Sequence, residues 1–173
     1  MSKMTRKKYG MMLDEYAWTR YINMQKIDEI NVSKRGKWML FSPDVNFLAS
    51  LCEEALEKDI VIEAKHTGFN AIENPKYKGN KLACFYLNID DIERHKKLIS
   101  FLLQKNLIKK KKNGELYDIS FKLDTQTRAG EYSKNFKPQI TLKDFIDLKT
   151  GEWVLDKKIE EVESHFKELI KNK

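Results

Sequence analysis

The chain is 173 residues long, 41% hydrophobic and 34% charged, which fits one soluble globular domain with a core of its own. No run approaches the roughly 18 consecutive apolar residues that a membrane span requires, so a membrane partner is not expected. The net charge of +7 instead favours anionic partners such as nucleotides, RNA, DNA or phosphoproteins.

The opening residues, MSKMTRKKYGMMLDEYAW, are basic but hold no continuous apolar segment and no small-residue cleavage site. No secretory signal is expected, and the cytoplasm is the expected location. From 11 to 26 the pattern admits a helix, and residues 1–34 are expected to form a partly helical segment packed on a single α+β domain at 35–173. GKWMLF at 36–41 predicts a strand. In FSPDVNFLASLCEEALEKD, Ser42 is placed to cap a helix with Pro43 at its first position, and Val45, Leu48, Leu51, Cys52, Ala55 and Leu56 recur at helical spacing. Two short apolar runs follow, IVIEAKH at 60–66 and KLACFYLN at 81–88, rich in strand formers and separated by a loop holding Gly68, Pro75 and Gly79.

A second helix is expected to open at Asp90, with Glu93 three residues on, and to end near Leu107. The KKKK run at 109–112 and the Asn-Gly after it read as a solvated connection. LYDISFKLD then alternates, Ile119, Phe121 and Leu123 on one side and Asp118, Ser120, Lys122 and Asp124 on the other. Near the C-terminus, Ile159, Val162, Phe166, Leu169 and Ile170 share one helical face. The order predicts an α+β fold: a mostly antiparallel sheet with helices packed on one face, leaving an uncovered face to a ligand. Cys52 on a helix and Cys84 in a strand suit two reduced, buried thiols. With no CxxC and no Cys/His cluster, neither a metal nor a cofactor is expected.

Strand alternation puts Lys65 on the open face and turns His66 the other way. Lys122 lies on the polar side of its strand, and Thr125, Thr127 and Arg128 follow where that strand is expected to end in a turn. An ammonium, hydroxyls and a planar guanidinium are the groups that hold phosphate oxygens, and Gly130 would let backbone approach closely. The alternative is that Asp124, Thr125 and Thr127 bond their own turn while Arg128 pairs with a surface carboxylate. Trp38, Tyr86 and Trp153 are of the type that stacks on a base or fills a core. His95 and His165 read as surface or boundary residues. No Walker A loop, GxGxxG, HExxH or GxSxG motif is present.

RGKWMLF, EAKHTGF, LACFYLNIDDIERHKKLISFLLQKNL and YDISFKLDTQTRAGEY, in this order over roughly residues 35–140, resemble the basophilic-leukaemia-expressed protein family. The resemblance implies a curved antiparallel sheet backed by helices, similar to the cap-binding translation initiation factor 4E. It also implies a phosphorylated nucleotide, nucleotide signal or RNA end as ligand, with Trp38 stacking and Lys65, Lys122 and Arg128 holding phosphate. Bacterial relatives labelled phosphothreonine lyase imply a metal-free elimination instead, in which Lys65, His66 and Lys122 would be catalytic and a phosphoprotein the substrate. There the lysine and histidine stand one residue apart, whereas here they are adjacent and face opposite ways unless a bulge re-aims one. A protein-interaction module with no small-molecule site is the third reading, so catalysis is left open, as is oligomeric state.

Overall fold

Trp18, Thr19, Arg20, Tyr21, Ile22 and Asn23 alternate between half-buried and buried side chains, the mark of a strand with one face on a core. They end a meander rather than a helix. In the computed structural model, which describes residues 2–73, 79–130, 136–154 and 157–171, β1 is Lys3–Lys7, β2 Gly10–Asp14 and β3 Trp18–Asn23, paired antiparallel in succession. The helix expected over 11–26 is therefore absent. Trp18, Thr19, Tyr21 and Ile22 are aromatic or β-branched and favour a pleated surface. Gly10, at φ +145, makes the turn: a Cβ there would run into Ile22 O and lie 2.6 Å from Met24 N.

The remaining strands are β4 Arg35–Ser42, β5 Glu63–Thr67, β6 Lys81–Asn88 and β7 Lys122–Leu123, and the helices α1 Val45–Glu57, α2 Ile92–Gln104, α3 Asp124–Arg128 and α4 Lys157–Lys171. Together they make an α+β protein with a seven-stranded antiparallel sheet in the order β1-β2-β3-β5-β6-β4-β7. The chain divides into two compact units, 1–31 with 39–87, and 32–38 with 88–173.

In the first unit α1 packs on β3 and β5. It buries Val45, Leu48, Leu51, Cys52, Ala55 and Leu56, the face its spacing predicts, and each leucine so buried contributes about 2–3 kcal/mol. Its cap is Asp44, whose carboxylate accepts from Phe47 N at 3.1 Å, while Ser42 Oγ accepts from Asp44 N at 3.2 Å. Pro43 thus precedes the helix. β5 starts three residues later than expected, because the chain leaving α1 is still tied to it by Ile60 N donating to Ala55 O at 2.8 Å. Both cysteines are buried thiols outside any disulfide, and burial pushes the Cys52 thiol up.

In the second unit Asp91, not Asp90, caps α2, accepting from Arg94 N at 3.2 Å. Asp90 is held by Lys34 at 2.6 Å. The helix stops at Gln104 rather than 107, because Asn106 turns the chain with φ +53. The strand expected over 116–124 shrinks to β7 and single bridges at Leu116 and Ser120, and the turn expected after it is α3. Pro75 and the side chains of Phe166, Leu169 and Ile170 lie outside the described residues; Ile159 of that helix face is buried. Among the described residues no helix is long and apolar enough to cross a membrane.

Candidate functional site

The residues singled out in the sequence fall in both units. In the first, β5 pairs with β3 and β6 so that Arg20, Lys65 and Cys84 stand abreast, as do Thr19, His66 and Ala83 on the opposite face. Lys65 and His66 thus point to opposite faces, and no bulge re-aims either. The Lys65 ammonium sits 3.9 Å from the Trp18 ring centroid and 5.8 Å from that of Tyr86, a stacked cation on a half-buried stem. Its face is not open at the centre: Glu63, Cys84 and Tyr86 are all buried. Tyr86 is a core ring, while Arg20 reaches Glu63 at 3.3 Å.

His66 is wholly buried with both ring nitrogens engaged. Nδ1 lies 2.7 Å from Thr67 O, which can only accept, so Nδ1 carries the proton. Nε2 then accepts from the Tyr21 hydroxyl at 3.0 Å. Burial lowers the pKa of His66 and raises that of Tyr21. A neutral imidazole with no exposed nitrogen cannot assist a leaving group, so the lyase arrangement of Lys65 and His66 is not assembled.

In the second unit Trp38 is 0% exposed, so neither ring face is offered to a base. Its indole N–H donates to His95 Nδ1 at 3.0 Å, and His95 Nε2 therefore carries the proton given to Ile89 O at 2.9 Å. Phe121 and Phe145 close the cluster, their centroids 5.8 and 6.3 Å from Trp38. His95 is a core residue, not a boundary one, and burial lowers its pKa to about 4. His165 and Trp153 are exposed.

Lys122 is buried too, its ammonium 5.1 Å from the Phe136 centroid. It lies directly opposite Lys37 in the β4–β7 register. Asp124, the first residue of α3, sits between charges that the sequence reading overlooked. Arg35 Nη1 donates to its Oδ2, and Lys37 Nζ to its Oδ1 at 2.8 Å and to Thr127 Oγ1 at 2.9 Å. Strand alternation could have flagged Arg35 and Lys37, which share the face opposite Trp38. Thr127 and Asp124 are thus committed to the fold, as in the turn-bonding alternative, although the partners come from β4. Thr125 and Arg128 remain exposed, three apart on α3 and hence neighbours on its surface. Gln126 anchors the helix, accepting from Leu123 N at 3.1 Å and donating to Lys137 O at 2.9 Å. Among the described residues no three histidine, cysteine or carboxylate side chains gather as metal ligands.

No family model, curated protein or solved structure matches the chain.

Proposed function

We propose that the second unit binds a phosphorylated, nucleotide-like ligand at α3, within a frame of the kind found in cap-binding translation initiation factor 4E. The supporting observation is the register that sets Lys37 and Lys122 side by side, both buried, with Arg35 and Lys37 sharing the Asp124 carboxylate. Three cationic side chains thus gather beside α3, where the local field favours an anion. Arg128 and Thr125 present a guanidinium fork and a hydroxyl on the exposed side of the same short helix, where a phosphate would meet them first. Lys37 and Lys122 act at longer range, since charges with little solvent around them are weakly screened. Trp38 and Lys65 have no part in this contact, so recognition rests on phosphate and not on a stacked base.

The test is thermal unfolding of the protein with mono-, di-, cyclic and capped nucleotides. A ligand at about a hundred times its Kd adds about 2.7 kcal/mol, roughly 5–10 °C for a chain of this size. The rise should be lost in Arg128→Ala, whose side chain is exposed, and reduced in Lys122→Met, which keeps the buried stem. A panel with no rise, or one that persists undiminished in Arg128→Ala, sinks the proposal.

A further inference from the structure

Beyond the end of α2, the second unit holds a cavity of about 470 Å³. Its floor is apolar, formed by Ile108 and Leu116. Lys109, Lys110, Lys149 and Thr150 also line it, and all four are exposed. The frame is backbone-built: Tyr117 N donates to Lys109 O at 2.9 Å and Lys111 N to Glu115 O at 2.7 Å, closing a hairpin over 109–117. Leu116 N donates to Leu148 O at 2.8 Å, fixing the hairpin to the turn that carries Lys149 and Thr150. That turn is tied in its own right by Asp147, whose carboxylate accepts from both of their amides at 2.8 and 3.0 Å.

The two carboxylates of these segments do not block an incoming anion. Asp147 is occupied by those amides, which hold its carboxyl below the usual range. Glu115 meets Lys149 at 3.8 Å in a pair whose lysine is largely exposed, an arrangement that contributes little and is readily exchanged. A volume within the usual range of roughly 300–1,000 Å³ for small-molecule sites, an apolar base and a few polar groups converging on it are the features of a ligand pocket.

We propose that this cavity binds a small amphipathic anion, an aryl-sized body seated on Ile108 and Leu116 with a phosphate or carboxylate drawn to Lys109, Lys110 and Lys149. Lysines act as point charges without the fixed fork of arginine, so the head group is selected by charge rather than geometry, and a dianion binds more tightly than a monoanion. The site shares no residue with α3 and does not depend on the reading given for it.

Titrations of the ¹⁵N-labelled protein with phenyl phosphate, benzoate, inorganic phosphate and benzyl alcohol, followed by amide chemical shifts, test the proposal. Phenyl phosphate should shift Gly114, Thr150 and Gly151 saturably and leave Thr125 and Arg128 unmoved. Benzoate should bind at the same amides more weakly. Inorganic phosphate and benzyl alcohol, each lacking half of the recognition, should bind at least about tenfold more weakly than phenyl phosphate. The exposed double variant Lys110→Ala/Lys149→Ala should lose about tenfold for phenyl phosphate, and raised salt should weaken the wild type in the same direction. Equal binding of inorganic phosphate would remove the apolar floor from the account. Indifference to the double variant, or shifts confined to α3, would overturn the site.

Discussion

An indole nitrogen can donate a hydrogen bond and cannot accept one, so Trp38 dictates which nitrogen of His95 holds the proton. The pair is closed on both sides, indole to Nδ1 and Nε2 to the Ile89 carbonyl, in surroundings without solvent. Trp38→Phe would leave Nδ1 buried with no donor, at a cost of about 1–3 kcal/mol, and would add a void where the larger ring had packed. Chemical denaturation should therefore show a loss of at least about 2 kcal/mol, with any nucleotide-induced stabilisation retained. A variant of near wild-type stability that no longer responds to nucleotide would return Trp38 to the role of a stacking ring. Tyr21 and His66 repeat the device with the opposite tautomer.

At the scale of elements, α3 is joined to β4 by one carboxylate. Asp124 accepts from both Arg35 and Lys37, and the side chains of Lys37 and Asp124 are only 10% and 13% exposed, low enough that their charges are weakly screened. Asp124→Asn should cost about 3 kcal/mol, whereas Lys37→Met combined with Asp124→Asn should cost clearly less, because only Arg35 then faces the neutral amide. Urea unfolding of the single and double variants decides this. Equal losses would mean that the ion pair does not join these elements. Gly36 marks the same junction: a Cβ there would overlap the Phe121 ring and lie 2.8 Å from Lys122 O, so Gly36→Ala should cost about 1–3 kcal/mol through overpacking.

These elements also show where the sequence was legible. β6 and α1 were readable because uninterrupted apolar runs and helical spacing depend on local order alone. The meander of β1 to β3 was not, since MMLDEYAWTRYIN carries apolar residues at both periods and only pairing with β5 decides between them. Alternation puts Lys122 on the polar side of its strand but does not tell whether that side is covered. His95 stands among Arg94, Lys96 and Lys97 in sequence, the company of a surface residue, and the Trp38, Phe121 and Phe145 rings that pack on it come from distant segments. Contacts remote in sequence decided each of these cases.

For the whole molecule, the buried neutral groups set a pH window of stability. His95 titrates near 4 in the folded protein against an ordinary 6.5, and His66 is lowered in the same direction by burial. Between those values the unfolded chain takes up protons that the native state does not, so stability falls as pH drops below about 6.5 and reaches its full loss near 4. The His95 shift alone is worth on the order of 3 kcal/mol. On the alkaline side the signs reverse. Cys52, Tyr9 and Tyr21 are all raised, chiefly by burial, so the unfolded chain sheds protons first and stability declines above about pH 8.5. Urea midpoints should therefore form a plateau between about pH 6.5 and 8.5, and between pH 7 and 5 the unfolding free energy should fall by roughly 2–4 kcal/mol. His95→Gln separates this titration from the general acid response. An amide can accept from Trp38 and donate to Ile89 O, so the fold has a substitute for both hydrogen bonds, but it binds no proton. The variant should be less stable at pH 7 and visibly less sensitive to pH between 6.5 and 5. An undiminished slope would show that the acid limb belongs to other groups and that His95 is not held neutral by its burial.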